Sequence, residues 1–433
     1  MANRETGHCR RSFCQYCTLF RCAYLASGGD LPMWSEPLSG PALSNLAYEH
    51  WLADQPASAL AWARWAAYQQ TWADGPIHPN ALRTLGHVLV DHGRFQEAEA
   101  VYRQSDPGHQ SPAALLGRAL AFEGMGRRWR AAELAEARFQ LDTLPKWALP
   151  APHWQGWPDV ETITIWDEQG FGDTIQESRW LAALLKQATS VTLAVRAPLV
   201  RLMREGLSGL GPQLKVVDRA KCAWIGCHGS LLSLRWRLQS SLSPADPGPA
   251  QGWLCLPEPA GSDLSGRRIG LIWAAGRYSE SAYLQREAMK KSLPIAMLQV
   301  LVRALQAESC ELVCLQIGPD RDDADDLNIS WDQALPPDAD FFELGQTMKT
   351  CDLIITVDTA AAHLAGALGI PAWVLLPWAA AARWGRDHQK TTLYRSLRLF
   401  RQHRPRDWSS VIAAVHAAVR QWSPAPQSDQ LHP

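Results

Sequence analysis

The chain has 433 residues, which is room for two or three domains, because one hydrophobic core stops growing efficiently below that length. Apolar residues make up 47%, and 42 Lys and Arg stand against 43 Asp and Glu, so no global field draws the protein to nucleic acid or to an anionic membrane and any anion site must be local. No stretch is apolar enough for long enough to span a bilayer, and no leader-like apolar region opens the sequence, so a cytoplasmic protein is expected.

Residues 1–35 form a short basic head without a core and are read as disordered. Within it Cys9, Cys14, Cys17 and Cys22 follow the pattern C-x4-C-x2-C-x4-C. Four thiolates could hold zinc or an iron–sulfur cluster. Paired C-x2-C knuckles are the usual zinc arrangement and only one is present, so no metal is expected. Cys222, Cys227, Cys255, Cys310, Cys314 and Cys351 are scattered through apolar contexts and read as reduced core residues.

Residues 36–150 read as helical throughout. In ALRTLGHVLVDHGRFQEAEAVYRQ, Leu82, Leu85, Gly86 and Leu89 precede Gly93, then Phe95, Ala98 and Tyr102: a helix, a turn and a second helix, with small residues where the two touch. Leu116, Gly117, Leu120, Gly126, Trp129 and Ala132 repeat it. A spacing of about 34 residues is the tetratricopeptide (TPR) period, in which stacked helix pairs build a concave groove. Leu46 to Tyr68 fits more loosely, with DQPASA standing where DHGRFQEA stands later. The alternative is a plain helical bundle. PKWALPAPHWQGWPD, rich in Pro and Trp, ends the helices as a linker.

After the linker the rhythm changes. TITIW, SVTLAV and LKVV are strands, separated by the helices TIQESRWLAALLKQ and PLVRLMREGL. A Pro/Gly/Ser stretch at 241–252 precedes a second series of strands: RIGLIW, CELVCLQIG, DLIITV and AWVLLP, closed by the helix DWSSVIAAVHAAVRQW. Such alternation predicts an α/β protein of two doubly wound, Rossmann-like halves, 155–255 and 265–425, with a cleft between them.

Three strand ends carry polar residues suited to chemistry. In WDEQGFGDTIQ, Gly170 and Gly172 permit positive φ and let a ligand approach the backbone, and Asp173 is either a base at the cleft mouth or a helix N-cap. After RIGLIW, the polar stretch 274–294 reads as a loop whose Arg277, Arg286, Lys290 and Lys291 could meet a diphosphate, or simply be solvated. After DLIITV, Asp358 and Thr359 form the turn, and Ala360 and Ala361 open a small-residue helix that ends at Gly369. The helix's free N–H groups and dipole attract phosphate. Asp358 is cast as an N-cap or a partner for sugar hydroxyls. His363, one turn in, is either a donor to phosphate or leaving group, or a satisfied helix histidine. Asp323 and Asp325 form a D-x-D pair inside the acidic run DRDDADD, which reads as a solvated loop.

With these segments in view, the chain resembles the TPR-containing bacterial glycosyltransferases of the heptosyltransferase-like, GT-B fold family. The resemblance is carried by ITIWDEQGFGDTIQ, CHGSLLSLRW, RIGLIWAAG, KKSLP, LVCLQIGP, CDLIITVDTAAAHLAGALGIPAWVLLP, ARWGRD, LYRSLRLFRQ and DWSSVIAAV, in order from about 163 to 420. It implies transfer from a nucleotide-sugar donor to a glycan or protein acceptor, without metal or other cofactor. By matched position Asp173 corresponds to the base, Lys290 or Lys291 to the basic residue near the diphosphate, and Thr359 and His363 to the nucleotide-sugar motif. Asp173 and His363 are thus the catalytic candidates, and Gly170, Gly172, Arg286, Lys290, Lys291, Gln316, Asp358, Thr359, Ala360 and Ala361 the donor-binding candidates. A protein partner in the TPR groove is a further expectation; nucleic acid is not. Ala275-Gly276-Arg277, Gly229 and Ile317 depart from the family's habits, and 160–255 is short for a complete half. A scaffold that binds a nucleotide-sugar without turning it over is therefore the alternative. A two-half epimerase is a third reading, against which the helical repeats argue.

Overall fold

The structure, a computed structural model, describes residues 39–72, 79–141, 152–157, 159–239, 242, 252–259, 267–276, 281–322, 331, 333–336, 338–387 and 389–424. Cys9, Cys14, Cys17 and Cys22, Arg277, and Asp323 and Asp325 lie outside the described residues. The chain divides into two compact units, Met1–Leu141 and Asp142–Pro433.

The first unit is helical: α1 (Gly40–Leu52), α2 (Pro56–Trp72), α3 (Pro79–Asp91), α4 (Phe95–Ser105), α5 (Pro112–Gly124) and α6 (Arg128–Ala135). Ser39 and Ser111 cap α1 and α5 by accepting from Ala42 N and Ala114 N, and proline in the first turn of each adds a preset φ. One turn recurs in three helix pairs. It places Asp54, Gly93 or Gly126 at positive φ. Its closing bonds run from Gln55 N to His50 O, from Arg94 N to Leu89 O and from Arg127 N to Phe122 O. DQPASA thus makes the turn that glycine makes later, with Asp54 taking the left-handed position. Small residues do lie where helices touch. The Tyr102 ring fills the space that side chains at Gly86 and Gly117 would occupy; a Cβ there would sit 2.6 and 2.2 Å from it. Burial of Leu43, Trp62, Val88, Leu89 and Tyr102 makes the unit's core.

The second unit holds two parallel sheets. The first has order β3-β2-β1-β4, built from β1 (Val160–Trp166), β2 (Ala188–Val195), β3 (Leu214–Asp218) and β4 (Cys227–Ser230). The second has order β10-β9-β8-β5-β6-β7, from β5 (Arg268–Ile272), β6 (Glu311–Cys314), β7 (Gln333–Ala334), β8 (Leu353–Val357), β9 (Ala372–Leu376) and β10 (Leu397–Arg401). Every ladder between these strands is parallel. Strands β8 and β9 are buried at every residue, as apolar runs covered on both faces should be. Helices α7 (Phe171–Glu177), α8 (Ala197–Gly206), α9 (Ala282–Lys291), α10 (Ile295–Ala307), α11 (Phe341–Met348), α12 (Ala360–Leu368) and α13 (Trp408–Gln421) connect and flank the strands.

Two readings change here. The polar stretch at 274–294 contains a ten-residue helix, α9, whose inner side buries Arg286 and Ala288. The helix expected over TIQESRWLAALLKQ breaks after Glu177 into short single turns. Of the six cysteines expected in the core, Cys255 is exposed and Cys222 half-buried. Cys255 lies in the extended segment 252–259, tied by backbone: its N–H donates to Gly206 O, while Trp253 and Leu254 donate to Ala367 O. This segment stitches α8 of the first sheet layer to α12 of the second. Among the described residues of this unit, one apolar cluster runs through both sheets, from Ile163 and Leu193 to Ile354 and Leu364.

Candidate functional site

The carboxyl ends of β1 and β8 face each other. After β1, Asp167 is fully buried and accepts from Arg196 and Arg219, which arrive from the ends of β2 and β3 and fix the loop. Glu168 accepts from Ser230 Oγ at the end of β4. The turn then places positive φ on Gln169, at 58°, while Gly170 stays extended at −77°. Gln169, rather than either glycine, thus takes the left-handed position. Gly172 is required for a different reason. A Cβ on it would meet His363 Cδ2 at 2.7 Å and Ala360 Cα at 3.2 Å. The α7 turn therefore rests directly on the amino end of α12, and the expected cleft is closed at this point. Gly172→Ala is expected to destabilise the protein by about 1–3 kcal/mol through overpacking, since helix backbone and not only a side chain must yield. Denaturant unfolding would measure it.

Asp173 occupies the third position of α7. Its Oδ2 accepts from Gly170 N at 2.9 Å, so it does cap the turn. Its Oδ1 lies 2.6 Å from Arg383 Nη1, which also donates to Gln176 Oε1 at 3.3 Å. Burial alone would raise the Asp173 carboxyl; the charge and hydrogen bond of Arg383 outweigh it and hold the group below its usual range. Arg383, in a short turn between β9 and β10, is the residue that sequence reading missed.

On the facing side, Thr359 caps α12 by accepting from Ala361 N at 3.2 Å. Gly369 ends the helix with φ 74°, the left-handed cap expected of it. Asp358, 5% exposed, pairs through Oδ2 with Lys291 Nζ at 3.2 Å, as an ion pair without a well-directed hydrogen bond. Burial would raise its carboxyl, but Lys291 first, then His363 and Arg383, hold it at about 2. The same partner raises Lys291 against the opposing effect of burial.

His363 is 4% exposed. Its ring stacks on Trp384 at 5.3 Å, and its Nδ1 is 2.7 Å from the Tyr394 hydroxyl. The Arg179 guanidinium lies 4.4 Å over the Trp253 ring and 5.0 Å over that of Tyr394. Burial, helped by the Arg383 charge, pushes His363 down to about 3, so the ring is neutral at pH 7.

The remaining expected donor ligands divide. Arg286 and Lys290 both pair with Glu287 and are nearly buried. Gln316 is consumed by the sheet: its Oε1 accepts from Trp273 N and Ala274 N, and its Nε2 donates to Ala274 O and Ile317 O. Arg401, also unread from the sequence, is buried behind Asp358 and donates to Gly385 O; burial and Arg386 depress it to about 10. The structure thus gathers Gly172, Asp173, Lys291, Asp358, Thr359, Ala360 and His363 with Arg383, and leaves Gln316 in a backbone clamp.

The family model for glycosyltransferase family 9 (heptosyltransferase) matches residues 284–385, which include Lys291, Asp358, Thr359, His363 and Arg383 but not Asp173. Protein FlbA of Caulobacter vibrioides is 23% identical over 389 residues, covering 80% of this chain; the match spans 62% of FlbA's length. Among solved structures, the E. coli ADP-heptose lps heptosyltransferase II is similar at 14% identity, over 60% of this chain and 99% of that one, with a TM-score of 0.42. E. coli heptosyltransferase WaaC, solved with ADP, has 13% identity, coverage of 60% and 98%, and a TM-score of 0.40. The glycosyl transferase family 9 protein from Veillonella parvula has 13% identity, coverage of 63% and 97%, and a TM-score of 0.38. No helix among the described residues is long and apolar enough to cross a membrane. The chain carries a glycosyltransferase family 9 match over the sheet that supplies one wall of this site.

Proposed function

We propose that the protein is a glycosyltransferase that moves a sugar from a nucleoside-diphosphate donor to a glycan or protein acceptor. The observation that carries this reading is the meeting of the Gly172–Asp173 turn, from the first sheet, with Ala360, His363 and Arg383, which belong to the second and lie within the family-matched residues. In this reading the two sheets are the halves of a GT-B arrangement. The diphosphate lies against Thr359, Ala360 and Ala361, where the amino end of the helix dipole favours an anion. Arg383 and, beside it, the Asp358-paired Lys291 supply the positive charge that faces the diphosphate. Asp173 removes the proton from the acceptor hydroxyl, whose oxygen attacks the anomeric carbon as the nucleoside diphosphate departs on the opposite face, inverting that centre. His363, neutral at pH 7, serves as a hydrogen-bond partner for the departing group or for the sugar.

The helical unit fits a TPR-like array. Its three equivalent turns support that reading, and its groove would recruit a protein or peptide carrying the acceptor. A second reading is favoured by one observation: α7 rests on α12 and Asp173 is already ion-paired. A carrier that holds a nucleotide-sugar without turnover would look like this. The test is release of nucleoside diphosphate from a panel of ADP-, GDP- and UDP-sugars with glycan and peptide acceptors. Acceptor-dependent release from one donor upholds the transferase. Calorimetric binding with no release from any donor upholds the carrier.

A further inference from the structure

Asp173 presents a contradiction if it is the base. A carboxylate locked to a guanidinium at 2.6 Å, with its other oxygen on Gly170 N, has little basicity to offer an acceptor hydroxyl. Arg383 is the source of that lock, and its position suggests a way out. Its charge acts on Asp173, Asp358, His363 and Lys291 together, so it stands at the centre of the polar cluster rather than at its edge. It sits in a single 3-10 turn, Ala382–Trp384, that ends at Gly385 with a φ of 63°, and not in a long helix or a strand. A guanidinium faces carboxylate and diphosphate with the same fork. A diphosphate seated at the amino end of α12 would therefore compete with Asp173 for it, with more charge and more acceptor oxygens.

We propose that Arg383 is a donor-responsive mask on Asp173: it pairs with the carboxylate in the empty site and moves to the donor's diphosphate when that binds, freeing Asp173 to act as base. This rests on the transferase reading above. Donor then binds before acceptor, and the base is exposed only when there is a leaving group to displace. Arg383 is a positioning residue for Asp173 and a ligand for the donor. The groups facing Asp173 are Arg383 from the β9–β10 turn and His363 from α12, with Asp358 and Lys291 behind them. Of the other segments packed on α7, 231–233 brings no titratable group and 178–180 brings Arg179. His363 is neutral above about pH 3, so Arg383 is the charge whose departure Asp173 would register.

The freed carboxylate is still largely withdrawn from solvent, and that raises it once Arg383 no longer opposes the effect, so release of Arg383 should be accompanied by proton uptake. The probe is inorganic pyrophosphate, titrated calorimetrically into the full chain across the acidic range in two buffers of different ionisation enthalpy. The expected result is that the wild type takes up more protons per pyrophosphate than Asp173→Asn, by up to about one. Arg383→Lys, which keeps the charge but loses the fork, should bind pyrophosphate roughly tenfold more weakly. Thermal melting of each variant checks that it is folded. Equal uptake by wild type and Asp173→Asn, or undiminished affinity in Arg383→Lys, overturns the mask and leaves the donor site standing. Absence of pyrophosphate binding to the wild type overturns the diphosphate site itself, and the mask with it.

Discussion

Asp173→Asn is expected to lower the rate of sugar transfer by roughly 10²- to 10⁴-fold, the usual worth of a general base. Asn is nearly isosteric with Asp, so its side-chain oxygen can still accept from Gly170 N and the start of α7 is retained. What disappears is the ability to take a proton and the charge facing Arg383. The pair is part-exposed, with side chains 18% and 29% accessible, so its loss should cost stability no more than about 1 kcal/mol. The loss should therefore appear in kcat with folding intact. Donor affinity should be unchanged or improved, because Arg383 no longer has a carboxylate to leave. The measurement is acceptor-dependent release of nucleoside diphosphate at saturating donor, beside a denaturant unfolding curve. A variant that folds and turns over at the wild-type rate removes Asp173 from the chemistry, and with it the reason to place the acceptor at this turn.

How much of this was legible beforehand depends on what each residue answers to. The apolar runs at 353–357 and 372–376 could be read as buried parallel strands because nothing else is so uniformly apolar over that length. Strand β4, CHGS, has no such run; it exists because Ile163 to Trp166 offer it a ladder. Helix α9 was hidden by its polarity, since most of its residues meet water or ion partners and only one side is buried. Asp173 and His363 stood out as single polar residues at the ends of apolar segments. Arg383 did not, because its importance is spatial: its partner Gln176 is 207 positions away and no local pattern links the two. Gln316 failed in the opposite way. It stands at a strand end, where ligands are commonly held, yet all of its amide is spent on holding β5 against β6. The glycines were read as the source of the turn and as room for a ligand; the positive φ belongs to Gln169, and it is His363 and Ala360 that approach Gly172.

Lys291→Met carries the largest expected effect on stability. Asp358 is buried at the end of β8 and its carboxyl is held at about 2 chiefly by Lys291. Removing one member of a buried pair leaves an uncompensated charge, at a cost of about 3–5 kcal/mol. The pH dependence gives the cause away. In the wild type the Asp358 carboxyl is depressed, so its contribution is present above the unfolded value of about 3.9 and is lost as pH falls toward 2. In Lys291→Met burial loses its chief opponent, with Arg383 the main charge still against it, and the carboxyl is expected to rise past that value. A raised carboxyl stabilises the folded state at low pH and loses that contribution as pH rises through it. The variant should therefore be furthest below the wild type at neutral pH and should approach it on acidification toward about pH 4. Lys291→Met combined with Asp358→Asn removes the stranded charge and should recover most of the loss, because an amide in that position costs far less to bury than a carboxylate. Urea unfolding across pH 4 to 8 for the three proteins reads both effects. A deficit that is independent of pH and not relieved by Asp358→Asn would mean that Lys291 stabilises the fold through the packing of its stem, and that the Lys291–Asp358 pair does not hold the turn at the amino end of α12.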